Sequence, residues 1–178
     1  MTASRMAKSR GFTLTELMIA ITVMAVLGSF AMPSFRQMMR NKEVNSAAES
    51  VSNGLQRARA EAVARNAKVK FVLGSGTSWT VDYVTKPVST DPPIDTRPSS
   101  ESANATLVAK ASDLSTNATI ITFNQLGQVV ANADSSATLS RVTFSSTGAT
   151  TSLQVRIGAG GNAKVCDPSL PSTNVRAC

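Results

Sequence analysis

Glu16 is the one charged residue between Phe12 and Met32, a stretch of 21 positions. As an α-helix that stretch covers roughly 30 Å, the thickness of a bilayer's hydrocarbon core. An acid at the membrane centre of a helix costs about 2.5–3.5 kcal/mol on insertion scales, so this carboxylate needs a reason to be there. The rest of the chain offers little for catalysis. Histidine is absent and the acids are scattered, so no nucleophile–base pair forms and an enzyme is not expected. Gly158-Ala159-Gly160-Gly161 lacks the following Lys-Ser/Thr and helix of a phosphate loop and reads as a flexible turn. Cys166 and Cys178, twelve positions apart, lie downstream of a membrane-targeting segment and so face an oxidising compartment. That favours a disulfide over two free thiols, and a loop of this size gains roughly 3 kcal/mol in the chain-entropy model. No histidine or further cysteine completes a metal site, and no cofactor is implied.

The elements that position Glu16 admit three readings. One is a secretory signal cut after Ser29-Phe30-Ala31, for which the apolar run is long and Glu16 is badly placed. A second is a plain transmembrane anchor, which also leaves Glu16 without a role. The third follows from Gly11-Phe12-Thr13-Leu14-Thr15-Glu16 behind a basic leader with Arg5, Lys8 and Arg10. This segment resembles the type III signal of type IV pilins and of the pseudopilins of type II secretion. The resemblance implies cleavage after Gly11 by a prepilin peptidase, N-methylation of Phe12, and an assembly role for Glu16. Thr15 departs from the usual Ile or Val. It also implies a single-pass protein of the bacterial inner membrane with a periplasmic head, which later enters a pilus, at its tip or elsewhere, or a pseudopilus. Cleavage at Gly11 would create an α-amino group with a pKa near 8. A neighbour's ammonium would offset the cost of desolvating Glu16, so the pair could report axial register between subunits.

Beyond the apolar run, Pro33 removes the hydrogen bond to the Ser29 carbonyl and is expected to kink or locally melt the helix, with Gly28 and Ser29 softening that turn. The family commonly has a proline here, and Pro33 is grouped with Glu16 as an assembly residue. Val44, Ala47, Ala48, Val51, Leu55, Ala58 and Ala62 then recur at three- and four-residue spacing, the stripe of an amphipathic helix packed on a head. Arg57, Glu61 and Arg65 line another face. Gly54 costs about 1 kcal/mol against alanine, which points to close packing. The helix is expected from about Thr13 to Asn66. The alanine- and arginine-rich stretch from Leu55 to Arg65 resembles the GspH/FimT branch of the pilin family.

In the head, Val69, Phe71 and Leu73 alternate with other residues, Gly74-Ser75-Gly76 turns, and Trp79, Val81 and Tyr83 alternate again, which predicts a hairpin. Residues 85–105, with four prolines, read as a long surface loop. Further strands are expected at 119–123, 128–131, 141–145 and 153–157, a weaker one at 106–110, and a last one at 163–166. Two strands end in Phe-x-x-x-Gly, at Phe123–Gly127 and Phe144–Gly148, a pattern that GspH/FimT heads also carry. The expected class is α+β and pilin-like: a long N-terminal helix packed on an antiparallel β-rich head. The expected division is leader 1–11, membrane helix 12–35, stem helix 36–66 and head 67–178 with its disulfide loop.

The net charge of +7 is unevenly placed. The leader holds three positive charges, residues 36–70 hold a net five, and residues 71–178 sum to zero. This weakens a basic, nucleic-acid-binding head. The resemblance implies a minor pilin that primes or caps type IV pilus assembly through helix-bundle packing and head contacts. Its partners would be the prepilin peptidase and methyltransferase, other minor pilins and the major pilin. One alternative is a minor pseudopilin of type II secretion. Another is DNA capture for natural transformation, since some FimT-like pilins bind DNA through a Gly-Arg-x-Arg pattern. The matching segment here is Gly161-Asn162-Ala163-Lys164, without the first arginine and with lysine for the second. Arg156, Lys164 and Arg176 remain as candidates for weak, salt-sensitive phosphate contacts.

Overall fold

The computed structural model describes residues 12–178, so the leader and the cleavage position Gly11 lie outside the described residues. The chain divides into two compact units, one ending at Arg36 and the other spanning Gln37–Cys178. A single helix, α1, runs from Leu14 to Ala64. Helical structure continues through Pro33, so the expected local melting does not occur. Proline removes only one donor, and Gly28, one turn earlier, has no foreign atom within 4 Å to obstruct local adjustment. The helix stops in a Schellman motif. Asn66 takes a left-handed φ of 48°, Ala67 donates to the Ala62 carbonyl at 3.1 Å, and Asn66 donates to that of Val63 at 3.2 Å.

In the second unit, nine strands form two antiparallel sheets. They are β1 (Val69–Leu73), β2 (Trp79–Tyr83), β3 (Asp95–Arg97), β4 (Thr106–Lys110), β5 (Ile120–Phe123), β6 (Val129–Val130), β7 (Arg141–Ser145), β8 (Leu153–Ile157) and β9 (Ala163–Cys166). Their orders are β3-β2-β1-β5-β6 and β4-β7-β8-β9. The α+β class is therefore as expected. The 85–105 loop is corrected, because it contains edge strand β3 and a short 3-10 helix, Ser99–Ser102. Asp-Thr-Arg shows no apolar alternation, and it is held to β2 by backbone pairing and by the Thr96 hydroxyl, which donates to the Trp79 carbonyl at 3.3 Å.

The stem stripe from Val44 to Ala62 is fully buried and shares one core with Phe71, Val81 and Phe123 of the first sheet and Val142, Phe144 and Val155 of the second. A Cβ on Gly54 would meet Phe71 Cε2 at 2.8 Å and Trp79 at 3.1 Å, so glycine lets two aromatic rings lie against the helix backbone. Trp79 is fixed further by its Nε1–H, which donates to Ser50 Oγ at 2.9 Å. At the other end of the stem's packed surface, Asn41 donates to Thr150 Oγ1 at 3.1 Å and accepts from the Thr150 amide at 2.9 Å. Cys166 and Cys178 form the disulfide, with Asp167 and Ala177 bridged inside its loop.

Candidate functional site

Two regions carry unassigned chemistry. In the first, every residue from Phe12 to Arg36 is exposed, so this apolar segment has no cover from its own unit. At its head, Thr13 and Glu16 form a reciprocal capping box. Glu16 Oε2 accepts from the Thr13 amide at 2.9 Å and from its hydroxyl at 2.8 Å, while the Glu16 amide donates to Thr13 Oγ1 at 3.3 Å. The lone carboxylate is thus partnered within its own chain. The Thr-x-x-Glu spacing carried this signal, but only Glu16 was singled out from sequence. Phe12 is 91% exposed just ahead of the box.

The second region is the outer face of the four-stranded sheet. Val142, Phe144 and Val155 point into the core, so their strand neighbours point out. Cross-strand register pairs Lys110 with Arg141, Arg141 with Arg156, and Arg156 with Lys164. One cation from each strand therefore stands in a single row. Like charges directly opposite each other destabilise a sheet, by amounts on the scale of roughly 0.2–1 kcal/mol per pair. None of the four forms an ion pair among the described residues. Lys110 donates to the Ser115 carbonyl at 3.0 Å, and Arg156 donates to Gln154 Oε1 at 2.8 Å and the Cys178 oxygen at 2.6 Å. Residues 71–178 sum to zero charge, but that charge is not evenly spread.

Of the three expected DNA contacts, the structure brings Arg156 and Lys164 side by side and adds Lys110 and Arg141, which sequence reasoning missed. Arg176 is placed elsewhere, in a cleft of about 300 Å³ with Asn45, Glu49 and Asp167. Hydrogen bonds from Ser169 lower the Asp167 pKa below its usual value, and the Arg176 charge assists. A polar groove of about 600 Å³ lies between the stem and β3, with Glu49, Asn53, Asp95 and Glu101 among its lining. Arg97 is buried beside it, donating to Glu101 at 2.7 Å and Ser102 at 2.9 Å, while its Nη1 has no protein partner.

A long apolar N-terminal helix continuing into a stem, followed by antiparallel sheets, defines a pilin-like subunit. The family model described as type II transport protein GspH matches residues 47–165, and that of the prokaryotic N-terminal methylation motif matches residues 6–32. The chain belongs to the GspH family, the minor pilins and pseudopilins, whose members are structural subunits and not enzymes. A crystal structure of the type IV minor pilin FimU from Pseudomonas aeruginosa shares the fold at TM-score 0.51 and 20% identity, covering 75% of this chain and 92% of that one. A second crystal form of FimU gives TM-score 0.48 and 21% identity, covering 73% and 94%. No curated protein gave a significant match.

Proposed function

We propose that this chain is a minor pilin that primes or caps a type IV pilus. The observation that carries the reading is the bare apolar helix segment with one carboxylate at its head. Its exposed faces need lipid or other helices, and among pilin subunits the natural cover is a bundle of like helices. In this reading the leader is cut after Gly11, Phe12 is N-methylated, and the new amino group of one subunit meets Glu16 of another. Glu16 must then leave, or share, its bonds to Thr13. Pro33 would give the bundle local freedom. The periplasmic head adds contacts with other minor pilins.

The family model's description supports the pseudopilin alternative, in which the same device would act in a type II secretion system. Co-purification of the full chain with candidate subunits encoded beside it separates the two. The assembly role itself is tested by Glu16→Ala. Exclusion of the variant from fibres, with normal membrane insertion, is expected. Incorporation at wild-type level would remove the register role.

A further inference from the structure

The polar groove between the stem and β3 has two different walls. Glu49, Asn53 and Arg57, spaced four apart on one face of α1, form the first. The second touches Asp95, Thr96 and Arg97, the whole of β3. Consecutive strand residues point to opposite faces, so a groove that reaches all three runs along the strand's edge. That edge is free: β3 ends its sheet, with β2 on one side and no strand on the other among the described residues. From Ser46 to Arg57 the stem wall rises about 16 Å, the length of roughly five residues of extended chain. Both walls carry uncompensated negative charge. Glu49 makes no hydrogen bond or ion pair among the described residues, not even with Arg176 in the cleft on its other side. Asp95 accepts only from the next amide, Thr96. Glu101 holds Arg97, while Arg57 turns to Glu61 at 3.0 Å. The Arg97 side chain is only 7% exposed, and its Nη1 carries donors with no protein acceptor, which is costly for a buried group. The groove therefore suits an acceptor at Arg97 and cations at its walls.

We propose that this groove takes an extended segment of about five residues, bearing lysine or arginine, from a different pilin subunit, added along the free edge of β3. This rests on the assembly reading and names one head contact within it. Strand addition draws its affinity from main-chain hydrogen bonds and its specificity from flanking side chains. A carbonyl of the incoming segment supplies the acceptor for Arg97 Nη1. Its cationic side chains meet Glu49 on the stem wall and Asp95 on the strand wall. The shortness of β3 and the flanking carboxylates guard the edge against indiscriminate pairing, so a segment without positive charge gains little there. A second copy cannot fill the groove with its own β3, whose free edge faces its own stem. The occupant is therefore another chain. Nucleic acid is repelled by the same carboxylates.

The experiment uses the full-length chain in a membrane, with a photo-cross-linker at Asn53, beside the pilin subunits encoded with it. Asn53 is exposed and makes no side-chain hydrogen bond among the described residues, so the probe should leave the fold intact. Mass spectrometry is expected to return one segment of a different subunit, with a lysine or arginine within about two positions of the attachment point. Glu49→Lys with Asp95→Lys is expected to reduce that cross-link roughly tenfold, as is reversal of the mapped cation to glutamate in the partner. Combining the two altered chains is expected to restore it. Thermal melting followed by Trp79 fluorescence checks the fold of the double variant, and the partner's reversal tests the contact with this chain unaltered. Absence of a protein cross-link, a cross-link to another copy of this chain, a mapped segment without a cation, or a yield unchanged by either reversal overturns the proposal. Glu16 is intact in all these chains. If Glu16→Ala is excluded from fibres while Asn53 yields no cross-link, only the groove proposal fails. If Glu16→Ala enters fibres normally while the charge-dependent cross-link is found, the register role fails and the groove contact stands.

Discussion

Gly54→Ala is expected to destabilise the head, although alanine is the better helix former. The exchange gains about 1 kcal/mol of helix propensity. Against this stands the new Cβ, 2.8 Å from Phe71 Cε2 and 3.1 Å from two ring atoms of Trp79. Phe71 is fully buried, its ring lies 5.6 Å from that of Trp79, and Trp79 is tied to Ser50, so the rings have little room to retreat. Overpacking of this kind costs about 1–3 kcal/mol, leaving a net loss of roughly 0–2 kcal/mol. At about 2–4 °C per kcal/mol for a chain of this size, the melting temperature should fall by up to about 8 °C. Trp79 is the only tryptophan, so its fluorescence in the detergent-solubilised chain reports both the melting and the local shift. Phe71→Leu removes the closest ring atom. In that background Gly54→Ala should be neutral or stabilising, with a coupling of roughly 1–2 kcal/mol between the two sites. A rise of about 1 kcal/mol in the wild-type background, with Trp79 emission unchanged, would refute the packing argument.

Other expectations follow from single contacts. Thr13→Val removes the hydroxyl from the capping box, so amide exchange over residues 14–17 in micelles should quicken; unchanged exchange would mean that the box does not hold the helix start. Hydrogen bonds from Thr116 and Ser115 lower the Asp113 pKa from 3.8 to about 2. Its folded pKa lies below the unfolded one, so the turn's support is complete above pH 4 and is lost as pH falls through about 2. The Thr116 amide shift should titrate with that midpoint, and a midpoint near 4 would contradict it. Replacing both Cys166 and Cys178 by serine should cost about 3 kcal/mol in chemical denaturation, and an unchanged midpoint would show that the loop is held by its other bonds.

Most of the fold was legible because it rests on local periodicity. The stem stripe is buried residue for residue, and the hairpin from Val69 to Tyr83 follows its alternation. Strand β3 was not legible, since Asp95, Thr96 and Arg97 join the sheet through backbone pairing, which leaves no apolar signature. Pro33 does not melt the helix locally as expected, because one missing donor leaves the neighbouring turns intact, and the helix runs on to Ala64. The cation row was hidden for a different reason. Its members come from four strands spread over more than fifty positions, and only the pairing register shows that they share one line. Summing charge over the head averaged that line away. The capping role of Thr13 is readable from the Thr-x-x-Glu spacing alone.

The bonds between Asn41 and Thr150 join residues 109 positions apart. Synthesis delivers about 5–20 residues per second, so the second partner emerges some 5–20 s after the first. Until then the Val44–Val51 half of the stripe can reach the early hairpin but not strand β8, with which it shares the core. A newly made chain thus passes through a period in which its apolar N-terminal helix is complete and its stem is half dressed. Any factor that holds or misuses bare apolar helix has its opportunity then, and the last third of the chain ends it.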